Sequence, residues 1–158
     1  MRVKNTEKRK LVSDPKLKEN LNEEQKKVIE NYYNYDVTFV EGLWGSGKTF
    51  ACVAAAIKSF RKKEINKIVI TRPFIVDKGL GALPGEVNDK LLFEMQPIID
   101  NFYTLQGKEE TDKMMKEGTL VFQYNGKIKG MTLSSCIFIV DELQDATYAQ
   151  FMELLTRL

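Results

Sequence analysis

No histidine occurs anywhere in the 158 residues, and that absence removes a large part of enzyme chemistry. Ser-His and Cys-His nucleophile arrangements and histidine-based zinc sites all need an imidazole, so any reaction here rests on Lys, Arg, Asp, Glu and backbone amides. Cysteine is also scarce. Cys52 and Cys136 sit in separate apolar runs without paired spacing, which predicts buried free thiols in a reducing compartment and neither disulfide nor metal ligation. A strong charge of one sign is lacking too: a net +2 spreads no basic field over the chain, so contact with nucleic acid has to come from a local patch. No stretch is long and apolar enough to cross a bilayer, and no apolar run follows the basic start as a secretory signal requires. The expectation is a soluble, cytoplasmic protein with no membrane partner.

What is present suits one globular domain. Apolar residues at 43 % and charged residues at 29 % allow a sizeable core but no second full domain. Arg2, Lys4, Lys8, Arg9, Lys10, Lys16 and Lys18 outnumber the acids around them, so residues 1–19 read as a basic flexible arm and residues 20–158 as the domain.

Along the domain, LNEEQKKVIENYY sets Leu21, Val28, Ile29 and Tyr32 at helical spacing, with Asn20 or Asn22 as cap. VTFVE, residues 37–41, is short, apolar and β-branched and predicts a buried strand. TFACVAAAIKSFRKK predicts a helix whose Ala face lies close to a sheet while Lys58, Arg61, Lys62 and Lys63 stay in water. KIVITRP predicts a second buried strand stopped at Pro73, and the glycine-rich FIVDKGLGALPG a loop. A helix is expected from EVNDK to NFYTLQ, bent or restarted at Pro97, then a short one at TDKMMKEG. TLVFQYNGKIKG reads as a strand with a turn at Asn125-Gly126, SCIFIVDE as a third buried strand, and DATYAQFMELLTRL as a closing helix. Strand and helix alternate, which predicts an α/β domain with a mainly parallel sheet.

Between the first strand and the first long helix of that domain lies GLWGSGKTF. Gly42-x-x-x-x-Gly47-Lys48-Thr49 fits a loop that cradles phosphate: glycines let backbone amides curl round the anion, and the following helix adds its positive end. Gly42, Leu43, Trp44, Gly45, Ser46, Gly47, Lys48, Thr49 and Phe50 form the predicted nucleotide contact. Lys48 is expected to reach the β and γ phosphates, and the Thr49 hydroxyl to join a Mg²⁺ shell. Trp44 is bulky for such a loop; it is expected to pack beneath it, with a subunit or substrate boundary as the alternative. A second element is Ile137–Glu142, an apolar strand ending in two carboxylates. Paired acids there are costly unless a cation or donors meet them. Asp141 is expected to hold Mg²⁺ through water and Glu142 to polarise the attacking water as general base.

The chain from about Leu21 to Leu158 resembles the PhoH-like ATPase family, relatives of the superfamily-one helicase core. ITRPFIVDKGLGALPGEVNDK resembles that family's TRP segment and LGxLPG turn, and MQPIIDNFY the proline-and-aspartate helix after it. KGMTLSSCIFIVDELQDAT resembles an RGRTL run leading into a DEAQN box, and LLTRL the start of LTRxG. The resemblance implies a three-layer, RecA-like P-loop NTPase with ATP and Mg²⁺ as cofactors, hydrolysis coupled to RNA or single-stranded nucleic acid, and a homo-oligomeric ring. It implies that Gln25 reads the adenine edge, the alternative being an ordinary solvated helix residue. It gives Thr71 and Arg72 a contact with a nucleic-acid backbone, the rival being a simple strand terminator, and places Gln144 near the γ-phosphate. Arg157 is either a finger toward a neighbouring subunit or a plain surface arginine.

Departures from the family pattern are Lys129 and Met131 in place of two arginines, and Asp145 in place of the asparagine of the box. The family pattern also continues past LTRxG into a sensor strand lying between the Walker A and Walker B strands. With Leu158 the last residue, the expectation is a sheet incomplete at its C-terminal side, from a fragment or with another element in that slot. Two other functions fit the same motifs: a thymidine-type nucleoside kinase, although such kinases carry four zinc-binding cysteines, and a non-catalytic nucleotide-gated binding module.

Overall fold

Asn22 starts the first helix because its side chain accepts the Gln25 N–H at 2.9 Å while the Gln25 side-chain oxygen accepts the Asn22 N–H at 3.0 Å. This reciprocal cap satisfies two polar groups that a bare helix end would leave open. In the computed structural model, which describes residues 20–73, 87–124 and 133–156 and the backbone alone at 87–91, helix α1 runs Glu23–Asn34. Helix α2, Lys48–Arg61, follows the glycine loop, and strand β1, Lys67–Arg72, comes next. Helices α3, Val87–Gln106, and α4, Lys108–Lys116, lead to strand β2, Leu120–Tyr124. Strand β3, Cys136–Val140, a 3₁₀ turn at Leu143–Asp145 and helix α5, Tyr148–Leu155, complete the order. The predicted arm at 1–19, the loop at 74–85, the Asn125-Gly126 turn, Lys129, Met131 and Arg157 lie outside the described residues.

The sheet is parallel with order β2-β1-β3, and Ile68 of β1 faces Leu120 on one side and Ile137 on the other. Ile68, Val69, Ile70 and Thr71 are all buried. Successive strand side chains point to opposite faces, so β1 is covered on both, as the inner strand of an α/β layer requires. Helix α2 packs against α1, α3 and β1, and its Ala54, Ala55 and Ala56 are buried, the close approach that small side chains permit. Ile29, Ile57, Ile70, Met95, Phe102 and Leu105 fill the core between these elements. Each such side chain contributes roughly 1.5–3 kcal/mol through burial. The result is an α/β fold with a small parallel sheet flanked by helices.

Four expectations need correction. Residues 37–41 are not a strand: they make no ladder with any described strand, and Phe39 is 63 % exposed. Strand geometry persists only where a neighbour takes up the backbone N–H and C=O groups, and β-branched composition does not substitute for that neighbour. Phe39 instead sits near Phe151 of α5, ring centroids 6.3 Å apart. Lys58 is not in water but only 3 % exposed, because it lies one turn beyond Ala54 on the packed side of α2. Strand β3 is not buried throughout. Ile137 and Ile139 are buried while Cys136, Phe138 and Val140 are half-buried, the alternation of an edge strand. Pro97 neither ends nor restarts α3, which continues through it at the loss of a bond to the Phe93 carbonyl.

Replacing Phe102 by Ala should lower stability by about 3–5 kcal/mol in urea unfolding, the cost of a large cavity in a closed core. Phe93→Ala, at a side chain 81 % exposed, should change it by no more than ~0.5 kcal/mol.

Candidate nucleotide site

The register of the sheet builds one half of the site. Thr71 of β1 pairs with Val140 of β3, and the Asp141 N–H donates to the Thr71 carbonyl at 2.9 Å. Arg72 and Asp141 therefore leave the same end of adjacent parallel strands side by side. The Arg72 guanidinium donates from Nε at 3.1 Å and from Nη2 at 2.7 Å to Asp141 Oδ2, and from Nη1 at 3.1 Å to the Glu94 carbonyl of α3.

The glycine loop supplies the other half. Gly45 and Gly47 take φ of 77° and 78°, a region that a Cβ disfavours, and Gly47 occupies the cap position of α2. A Cβ on Gly47 would lie 2.3 Å from Gln25 Nε2. That amide donates to the Ser46 carbonyl at 3.2 Å, so the start of α1 holds the loop from behind. Lys48 Nζ donates to the carbonyls of Gly42 at 2.9 Å and Leu43 at 3.0 Å. The ammonium thus already lies within the ring of loop atoms.

One contact joins the halves: Thr49 Oγ1 donates to Asp141 Oδ1 at 2.8 Å, across 92 positions of sequence. Cys52, one turn further along α2, has its thiol pushed up to about 11, first by burial and then by the negative charge of Asp141. Beyond Asp141 the chain turns through Glu142 with φ 53° and ψ 42°, a left-handed conformation rare for a residue with a side chain. Gln144 Nε2 donates to Glu142 Oε2, so the turn folds its amide back onto the carboxylate.

Of the residues the sequence singles out, Lys48, Thr49, Asp141 and the loop glycines converge, with Glu142 and Gln144 directly following in the chain. Trp44 is a correction, because it is 98 % exposed at the loop tip and packs beneath nothing. Leu43 is exposed beside it, the turn from Leu43 to Ser46 having pushed both side chains outward. Gln25 contacts the loop through its side chain, and Phe50 packs partly on the core. Thr71 is fully buried in β1, and Arg72 turns toward Asp141 and α3. Sequence reasoning missed Arg72 as a member of this site. Its signal was latent: β1 ends on Arg72 and β3 runs directly into Asp141, but only the register of the two strands makes those residues neighbours.

A carboxylate and a hydroxyl held together beside a glycine cradle fit a Mg²⁺ ion brought in by a polyphosphate. Such an ion keeps several waters and needs only one or two protein oxygens. No group of three or more His, Cys, Asp or Glu suited to a metal occurs among the described residues.

The parallel sheet, the glycine loop opening α2 and the carboxylate ending β3 agree with part of a P-loop, RecA-like fold. The profile of the PhoH-like protein family matches residues 18–158, and the chain belongs to that family. It is 33 % identical over 135 residues to the PhoH-like protein of Synechocystis sp., covering 85 % of this chain and 41 % of that protein. The PhoH-like protein of Bacillus subtilis is 31 % identical over 135 residues, at 85 % and 42 % coverage. Protein PhoH of Escherichia coli K12 is 29 % identical over 140 residues, at 87 % and 40 %. The chain thus spans about two-fifths of the length of these relatives. No described helix is long and apolar enough to cross a membrane.

The contact between Gln25 and the loop is open to a double-mutant cycle. Gly47→Ala should cost about 1–2 kcal/mol for the left-handed backbone and a further ~1 kcal/mol for the displaced Gln25 hydrogen bond. In a Gln25→Ala background only the first part should remain. Equal costs in both backgrounds, by urea unfolding, would mean that the two residues are not coupled.

Proposed function

We propose that this chain binds ATP with Mg²⁺ at the loop Gly42–Thr49 and hydrolyses it, and that hydrolysis is coupled to binding or remodelling RNA or single-stranded nucleic acid. The observation that carries the reading is the 2.8 Å hydrogen bond from Thr49 to Asp141. It ties the first turn of the loop helix to the acid at the end of β3, the pair of oxygens that a nucleotide-bound metal would use.

In this reading the loop amides and the N-terminal end of α2 surround the phosphates, and Lys48 exchanges its two carbonyl acceptors for phosphate oxygens. That exchange is favourable because an ammonium gains more from an anion than from neutral carbonyls. Thr49, and Asp141 through water, would hold Mg²⁺, which would neutralise charge on the phosphate oxygens. Glu142 accepts a proton from the attacking water, and Gln144, already bonded to Glu142, orients that carboxylate. Gln25 braces the loop from α1 with one of its two amide hydrogens, and the second, with the remaining lone pair of its carbonyl oxygen, is the part that an edge-on contact to adenine would use.

The nucleic-acid part and a homo-oligomeric ring rest on the resemblance to the PhoH-like family, and a cytoplasmic location on two cysteines without paired spacing, which suit a reducing compartment. Trp44, the single tryptophan, stands exposed on the loop and gives the reading an optical probe.

Lys48→Ala should abolish the change in Trp44 fluorescence on adding ATP with Mg²⁺. Glu142→Gln should keep that change but lower phosphate release by roughly 10²–10⁴-fold, the usual worth of a positioned general base. Parent-level phosphate release from Glu142→Gln would remove Glu142 from the reaction. Release that is unaltered by single-stranded RNA would remove the nucleic-acid coupling.

A further inference from the structure

Asp141 has three of the four lone-pair sites of its carboxylate taken. Oδ1 accepts from Thr49, and Oδ2 accepts two donors from one guanidinium, which uses both lone pairs of that oxygen. The pair is largely enclosed, with side-chain exposures of 24 % for Arg72 and 11 % for Asp141. At such a site the positive charge is not diluted by water as it would be on an open surface.

A divalent cation on the Thr49 side of the carboxylate would draw on the same negative charge that the Arg72 guanidinium already neutralises from Oδ2, and the two cations repel each other. We propose that Arg72 is a positioning residue that competes with the divalent cation for Asp141, so that the metal is admitted only with a nucleotide whose phosphates compensate the lost ion pair. This inference rests on the Mg-nucleotide reading of the loop. It differs from a nucleic-acid role for Arg72, since it assigns the guanidinium to the metal side of the site.

The third tie of Arg72 gives the competition a structural consequence. Nη1 is bonded to the Glu94 carbonyl, on the stretch of α3 where Pro97 already denies the Phe93 carbonyl its helical donor. A shift of Arg72 away from Asp141 would be felt at this same stretch of α3. Arg72 thereby ties the end of β1 to the middle of α3.

The test is Mn²⁺ binding to the full chain without nucleotide, read by electron paramagnetic resonance, for the parent, Arg72→Ala and Arg72→Lys. Arg72→Ala should bind Mn²⁺ roughly 5- to 150-fold more tightly than the parent, the usual span of coupling between two competing groups. Arg72→Lys should fall between them, since a single ammonium cannot reproduce the paired Nε and Nη2 contacts. Asp141→Asn in either background should remove the gain.

Mn²⁺ affinity unchanged or weakened in both Arg72 variants would overturn the proposal. Should Arg72→Ala fail to fold by circular dichroism, Arg72→Lys alone decides by the same criterion. Binding of a fluorescent ATP analogue, measured in parallel, separates the two levels. A parent chain that takes up the analogue while the variants leave Mn²⁺ affinity unmoved defeats the competition alone. A parent chain that takes up none at any Mn²⁺ concentration defeats the nucleotide reading, and with it the function proposed for Arg72.

Discussion

The Asp141 carboxylate is the point on which the site depends. An acid this enclosed is tolerated only with charge and hydrogen-bond partners, and both of its oxygens find them. Thr49 comes from the first turn of α2 and Arg72 from the end of β1, and Arg72 also grips the α3 carbonyl of Glu94. One carboxylate thereby fixes the glycine loop against the sheet and the sheet against a third helix. The parallel register of β1 and β3 makes this possible, since it delivers Arg72 and Asp141 to the same end of neighbouring strands. An antiparallel pairing of these two strands would send them to opposite ends.

The loop is held from the other side by α1. The capping box that starts α1 consumes the Gln25 side-chain oxygen, which leaves its amide pointing at Ser46 and above Gly47. A residue that begins a helix thus also sets the shape of the glycine loop. Lys48 is drawn inward onto the Gly42 and Leu43 carbonyls. The loop therefore holds its curved form through its own hydrogen bonds, a pre-organisation that would reduce the ordering cost of the anion binding proposed for it.

Much of this was legible in the sequence, for identifiable reasons. The three strands of the sheet are apolar runs flanked by turn residues, and the first helix carries 3.6-residue periodicity with its cap narrowed to Asn20 or Asn22, of which Asn22 serves, whereas the Thr147 cap of α5 was not singled out. The glycine loop and the Asp141-Glu142 pair are local patterns, so spacing alone located them. What sequence could not supply is pairing. VTFVE has the composition of a strand, but composition says nothing about whether a neighbour is present to take its hydrogen bonds. Lys58 is charged, yet its depth depends on α1 and α3 closing over α2. Trp44 illustrates the reverse error, a large apolar side chain that local backbone geometry turns out into water. Arg72 was legible as a charge at a strand end, while its partner required the strand order.

The account stands or falls on whether the loop grips a triphosphate opposite Thr49 and Asp141. A crystal structure with a non-hydrolysable ATP analogue and Mg²⁺ tests this most directly. The account predicts phosphates encircled by the amides of residues 43–49, with Lys48 Nζ moved off the Gly42 and Leu43 carbonyls and the metal beside Thr49 and Asp141. An analogue bound elsewhere, or a loop in which Lys48 still donates to those two carbonyls with no phosphate between them, would contradict it.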